Sequence, residues 1–192
     1  MSTPVIAPTQ SAKSTQWKID PAHSTAQFSV RHLMISNVRG EFTTVSGSAV
    51  IHSADPTQST VEVQIDANSI NTREPQRDDH LRSADFFDVA NYPTLSFRSR
   101  QIKANGADGL KITGDLTIHG VTKEVTFDAE GPTPAMKDPW GNLRSGISAT
   151  TKIDRKDFDL KFNALTETGG VVVGDEVKIT IDVELIQQAP AA

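Results

Sequence analysis

Val177-Lys178-Ile179-Thr180-Ile181-Asp182-Val183-Glu184-Leu185 alternates apolar and polar residues without a break. Successive side chains of a strand point to opposite faces, so Val177, Ile179, Ile181, Val183 and Leu185 share one face and the polar residues share the other. The same period runs through Ala26, Phe28 and Val30; Val61, Val63 and Ile65; Leu95 and Phe97; and Val125, Phe127 and Ala129. It continues in Ile147, Ala149, Thr151 and Ile153, and in Leu110, Ile112, Leu116 and Ile118, where Gly114 keeps the phase. The predicted class is all-β: one curved antiparallel sheet with a wet outside and an apolar inside. The functional question is what fills that inside.

At 192 residues the chain suits a single domain with a sizeable core. Its 19 basic and 24 acidic residues give a net charge of −5, which argues against a general nucleic-acid binder because phosphate contacts need a basic surface. The absence of cysteine excludes disulfides, thiolate metal sites and cysteine nucleophiles. The opening Met1-Ser2-Thr3-Pro4-Val5-Ile6-Ala7-Pro8-Thr9-Gln10 has no positive n-region and no apolar run long enough for a signal peptide. Cytoplasmic residence is therefore expected, or periplasmic residence if the sequence is a processed form. No run of about 18 apolar residues occurs, so no transmembrane segment is expected. Residues 1–15 and 187–192 read as flexible tails around a domain at 16–186. Within it, Asp55-Pro56, Asn105-Gly106, Asp108-Gly109, His119-Gly120, Trp140-Gly141-Asn142 and Gly174-Asp175 are turn signals between strands joined in sequence.

From Glu74 to Asp88 the alternation stops. Pro75 can open a short helix near residues 75–88, in which Asp78 and Arg82 would pair one turn apart. Leu81, Phe86 and Phe87 need an apolar surface to rest on, and the open end of a barrel is the nearest.

Trp17-Lys18-Ile19-Asp20-Pro21-Ala22-His23-Ser24, Phe28-Ser29-Val30-Arg31-His32-Leu33 and Val38-Arg39-Gly40-Glu41-Phe42 resemble the opening of the YceI-like, polyisoprenoid-binding family. In the family's order follow Ile65-Asp66-Ala67-Asn68-Ser69-Ile70-Asn71-Thr72, the run Arg77 to Asp88, Tyr92-Pro93-Thr94-Leu95-Ser96-Phe97 and the run Gly114 to Val125. Ile153-Asp154-Arg155-Lys156-Asp157-Phe158 and Val173-Gly174-Asp175-Glu176-Val177 are also similar, although the family commonly has glycine where this chain has Asp159. The resemblance implies an eight-stranded, lipocalin-like antiparallel barrel holding a long-chain lipid, often as a homodimer, with many members exported to the periplasm.

Alternation carries Phe28, Val30 and His32 onto one face, so His32 either hydrogen-bonds the polar head of a bound lipid or is satisfied by a buried protein partner. The expected cavity lining is Phe28, Val30, His32, Phe42, Leu81, Phe86, Phe87, Phe97, Ile118, Phe127, Trp140 and Ile147. His23, Arg31, His32, Arg77 and His80 are the head-group candidates, although Arg77 and His80 are better suited to tying the helical segment to adjoining loops. A metal site would have to gather His23, His32, His80 and His119 with an acid such as Asp78, because no His-x-His or His-Glu-x-x-His spacing occurs. Ser24 beside His23 and Ser83 near His80 lack a Gly-x-Ser-x-Gly setting, so neither metal nor catalytic residues are expected. Gly169-Gly170-Val171-Val172-Val173-Gly174 lacks the Gly-Lys-Ser/Thr ending of a phosphate loop and suits a hairpin turn.

The sequence thus predicts a non-catalytic carrier of an isoprenoid, quinone-like or fatty-chain lipid, with no other cofactor. The alternatives are an enzyme acting on such a lipid with His32 or His80 as acid or base, and a stress-response module in which lipid occupancy switches partner binding.

Overall fold

In the computed structural model, which describes residues 14–106, 109–164 and 172–189, the alternating stretches are strands of one antiparallel wall. They are β1 (Ser14–Ile19), β2 (Thr25–His32), β3 (Ser36–Phe42), β4 (Val45–His52), β5 (Thr60–Asp66) and β6 (Ile70–Asn71). After these come β7 (Thr94–Ala104), β8 (Gly109–Ile118), β9 (Val121–Glu130), β10 (Met136–Lys137), β11 (Leu143–Asp154) and β12 (Val173–Gln187). The pairs β1/β2, β3/β4 and β5/β6 are each one wall strand broken midway, so with β7, β8, β9, β11 and β12 the wall has eight strands. Neighbours in the wall are neighbours in sequence, and β12 closes it by pairing with β11 on one side and with β1 and β2 on the other. Closure removes the exposed edges that an open sheet of this length would offer to other chains.

Aspartates mark the breaks. Asp20, Asp66 and Asp154 each end a strand, and their carboxylates accept the N–H of Ala22, Asn68 and Lys156 to cap short 3-10 turns. Asp55 does the same for Thr57 between β4 and β5. The β8–β9 turn is His119-Gly120, with φ of 51° and 73°, the left-handed pair that a two-residue hairpin requires.

One end of the barrel carries the β2–β3 turn, residues 67–93, the His119-Gly120 turn and the segment after β11. Here the predicted helix appears as α1 (Pro75–Arg82), and it is the only α-helix among the described residues. Its internal pairing differs from the expected one. Asp78 is buried and accepts from the backbone N–H (2.8 Å) and hydroxyl (2.5 Å) of Thr72, while Arg82 pairs with Asp79 at 3.1 Å and donates to the carbonyls of Asn68 and Ile70. The two side chains anchor the helix to the strand before it and do not meet each other.

Two sequence expectations change. Ser14 and Thr15 pair with His52 and Ile51, and Gln187 pairs with Trp17, so the barrel extends into both expected tails; residues 1–13 and 190–192 lie outside the described residues. Gly174-Asp175 lies inside β12, at a register shift against β2, and the expected turn at residues 169–171 lies outside the described residues. Gly114 leaves no void, because a Cβ there would sit 2.2 Å from the Arg98 carbonyl oxygen. No helix among the described residues is long and apolar enough to cross a membrane.

Candidate functional site

The barrel encloses a cavity of about 200 Å³. All five apolar residues of the β12 alternation line it, and so do Phe28 and Val30 of β2, Val61, Val63 and Ile65 of β5, and Ile147, Ala149 and Ile153 of β11. Many of these inward side chains are only half-buried, among them Val30, Val63, Phe97, Ile179 and Ile181. In a close-packed interior they would have lost their accessible surface; here they keep it because the space they face is open.

Aromatic rings close the α1 end. Phe28, Phe42 and Phe87 form a chain with centroid separations of 5.9 and 5.6 Å. Phe86 packs on Phe162 at 5.0 Å, and the His80 ring stands edge-on to both. Leu81, Phe86 and Phe87 all line the cavity. At the other end Trp17, Ile102 and Leu110 are buried and lie outside the lining.

Arg155 is the one charged side chain among the lining residues, and it is 3% exposed. Its guanidinium donates to the carbonyls of Leu160, Phe162 (2.8 Å), Gly174 (2.9 Å) and Val173, and to the Asp175 carboxylate at 3.3 Å. These partners satisfy its donors, so Arg155 builds the end wall and leaves little capacity for a ligand. Asp159, in the same segment, has a φ of 61° and its carboxylate pairs with Lys161. A left-handed position explains why glycine suits it, and aspartate is among the few other residues that tolerate it. Lys161 also holds the Asp159 carboxyl below the usual carboxylate range.

Of the expected lining, Phe28, Val30, Phe42, Leu81, Phe86, Phe87, Phe97, Ile118, Phe127 and Ile147 face the cavity. His32 and Trp140 do not. His32 is the last residue of β2, paired with Ser36 across the hairpin and with Val173 beyond the register shift in β12, and it stands outside the lining. Trp140 is 80% exposed on the β10–β11 turn at the far end.

None of the head-group candidates lines the cavity. His23 is exposed on the outer surface with Nδ1 2.9 Å from Asp20. Arg31 is exposed on the outer face of β2. Arg77 donates from Nε and Nη2 to the Thr72 hydroxyl and carbonyl at 2.7 and 2.8 Å, and His80 Nε2 lies 2.8 Å from Asp85. Arg77 and His80 thus tie the α1 segment together.

Sequence reasoning passed over Ile19, Leu160 and Arg155 as lining residues. Ile153-Asp154-Arg155-Lys156-Asp157-Phe158 held the only signal for Arg155. Nothing local marked Leu160.

Outside the wall, Arg144 binds Asp138 at 2.7 Å, Asp20 at 2.6 Å and Glu184. It holds the Asp20 carboxyl down to about 2, with help from His23, and holds Asp138 well below the usual range. Ligand atoms of Asp20, His23 and Glu184 converge within 4.8 Å, but the Arg144 guanidinium already bridges both carboxylates. His23, His32, His80 and His119 stand on separate elements and do not converge. Ser24 accepts from the Glu184 N–H and Ser83 donates to the His80 carbonyl, so neither hydroxyl meets an imidazole.

The YceI-like domain family matches residues 17–185. Protein YceI of Salmonella newport (strain SL254) is 40% identical over 182 residues, covering 94% of this chain and 91% of its own. The YCEI protein of Campylobacter jejuni superimposes with a TM-score of 0.70 at 32% identity, over 83% of this chain and 90% of that one. A polyisoprenoid binding domain from Saccharophagus degradans shares the fold, with a TM-score of 0.65 at 18% identity over 90% of this chain and 98% of that one.

Proposed function

The chain belongs to the YceI-like family, and from that premise we propose that its barrel holds a long-chain isoprenoid or fatty lipid, which it carries or sequesters without chemical change. The observation that carries this reading is the open, carbon-lined cavity, whose one inward charge is already spent on protein partners. Each methylene taken from water contributes about 0.8 kcal/mol, so a chain of a dozen or so carbons binds firmly with no polar contact. The naming of the Saccharophagus degradans domain as polyisoprenoid binding supports the same chemistry. An interior of this kind selects for the chain and not for the head, and the head is left at the α1 end or uncharged. The non-catalytic part of the proposal rests on the separation of each candidate serine from its histidine.

Denaturing extraction of the purified protein followed by mass spectrometry tests it. The expected result is a water-insoluble chain molecule in near-stoichiometric amount, taken up again unchanged by the delipidated protein. Bare polypeptide together with no uptake of an isoprenoid quinone or fatty amide refutes lipid binding, and recovery of a chemically altered lipid refutes the non-catalytic role.

A further inference from the structure

We propose that the β2–β3 hairpin tip, Leu33-Met34-Ile35, docks the barrel onto an anionic lipid bilayer at the α1 end of the cavity. The inference rests on the lipid-carrier reading and adds the surface at which cargo is exchanged. Leu33, Met34 and Ile35 are 38%, 62% and 80% exposed, three consecutive large apolar residues at the end of a hairpin. Turn geometry does not account for them. Leu33 and Met34 hold φ of 52° and 57°, a conformation in which asparagine or glycine is comfortable and bulky apolar residues are strained.

The outer wall behind the tip carries a row of cations. Across β11, β12, β2 and β3 the register sets Lys152 opposite Lys178, Lys178 opposite Ser29 and Ser29 opposite Arg39, with Arg31 one outward position nearer the tip. Like charges directly opposite destabilise a sheet, and only Lys152 has an answering carboxylate, Glu176 at 2.9 Å. Among the described residues Arg31, Arg39 and Lys178 have no ion-pair partner, whereas Asp79 and Asp85 of the neighbouring α1 segment are occupied by Arg82 and His80. The nearest acids on the same face are Glu41 on β3 and, at the tip-side ends of β12 and β11, Glu176 and Asp154; Glu176 is held by Lys152 and the Asp154 carboxylate caps the Lys156 N–H. Apolar side chains at a tip with unpaired cations behind them match a bilayer with anionic headgroups.

The tip also adjoins the cavity. The Leu33 N–H donates to the Val172 carbonyl at 2.9 Å, and the neighbouring Val30 and Val173 are lining residues. A cargo with no polar contact along its length is poorly suited to crossing water, and docking here places the α1 end of the cavity at the headgroup boundary.

Co-sedimentation with phosphatidylcholine vesicles, with and without phosphatidylglycerol, tests the proposal, with extracted lipid quantified for every variant. The wild-type protein is expected to bind the anionic vesicles and to release with added salt. Met34→Asp with Ile35→Asp should weaken that binding at least about ten-fold, the scale of losing a buried apolar side chain, with folding and cargo retained. Arg31→Gln with Arg39→Gln should remove the preference for phosphatidylglycerol, by about five-fold per arginine. Trp140→Ala, at the opposite end, should bind as wild type. The proposal is overturned if wild type binds neither vesicle, if the tip variant binds normally, or if Trp140→Ala is the variant that fails. Tip variants that change only the oligomeric mass in size-exclusion chromatography would overturn it too, by assigning the tip to a protein contact. Vesicle binding by a protein that neither carries lipid nor takes up an isoprenoid quinone or fatty amide would refute the carrier reading and leave the docking surface standing.

Discussion

Filling the cavity from its own wall separates a ligand chamber from a merely loose core. Ala149 lines the space on β11, in register with Ile181 on β12 and Ala129 on β9, and Ala26 lies on the far side of Ile181. Ala149→Phe therefore projects a ring over a band of small residues. Empty space in an apolar interior costs about 24 cal/mol per Å³, so the 200 Å³ cavity, left unfilled, weighs on the delipidated protein by about 5 kcal/mol. A ring that occupies part of it recovers some of that stability. The same ring displaces ligand, and losing about three methylenes at about 0.8 kcal/mol each amounts to about 2.4 kcal/mol, or roughly fifty-fold in Kd. The two effects have opposite signs. Melting of the delipidated protein should show a raised Tm for Ala149→Phe, while titration with a fluorescent fatty-chain probe shows weaker binding and a smaller ligand-induced rise in Tm. Unchanged affinity combined with a loss of about 1–3 kcal/mol in stability, the usual effect of overpacking, would refute the reasoning and make the interior a filled core.

If Phe86 and Phe87 form a lid, the combination Phe86→Ala and Phe87→Ala should accelerate lipid exchange in stopped-flow measurements while weakening folding by a few kcal/mol, about as other aromatic truncations do; an unchanged rate in a folded variant would assign these rings to static packing. Phe28→Asp aims an unpaired carboxylate into the cavity and should abolish lipid retention, whereas Ser29→Asp, in register between Lys178 and Arg39, should retain lipid and stabilise the wall. Equal lipid loss from both folded variants would show that inside and outside have been exchanged. The Asp20 carboxyl is depressed from 3.8 to about 2 by Arg144 and then His23, so its contribution to stability is fully present above about pH 4 and is lost as pH falls through about 2. Arg144→Gln should lower Tm at neutral pH, with the gap to wild type narrowing as pH falls from about 4 through about 2 while the Asp138 pair persists; a constant gap across that range would count against the ionic cluster as its source.

The inside of the barrel was legible because a period of two is a repeated signal. In β12 every second residue from Val177 to Leu185 reaches the cavity, and no single misread position could have moved the set to the other face. The signal fails where repetition stops. His32 keeps the phase of Phe28 and Val30 in the sequence, but its strand ends there, and Leu33 at a φ of 52° turns the chain away from the wall. Trp140 had no phase at all. The Asp138 carboxylate accepts from the N–H groups of Trp140 and Asn142 and pairs with Arg144, which fixes the turn with the indole outside.

Arg155 fails in the opposite sense, because a charged residue between Asp154 and Lys156 reads as solvated surface. Its burial depends on carbonyls at Leu160, Phe162, Val173 and Gly174, which only the closed barrel brings to one guanidinium. Asp159 lies between these cases. The sequence marked it as an unusual residue where the family commonly has glycine, and the φ of 61° supplies the reason, a reversal that aims the following residues at Arg155. The wall is thus written locally, in many interchangeable positions, whereas its ends are written in single residues whose partners lie across the chain. On the proposed function lipid would enter or leave through an end, so the least legible part of the sequence is also the part that would decide exchange, and substitutions at Arg155 or Asp159 should alter exchange before they alter the capacity of the cavity.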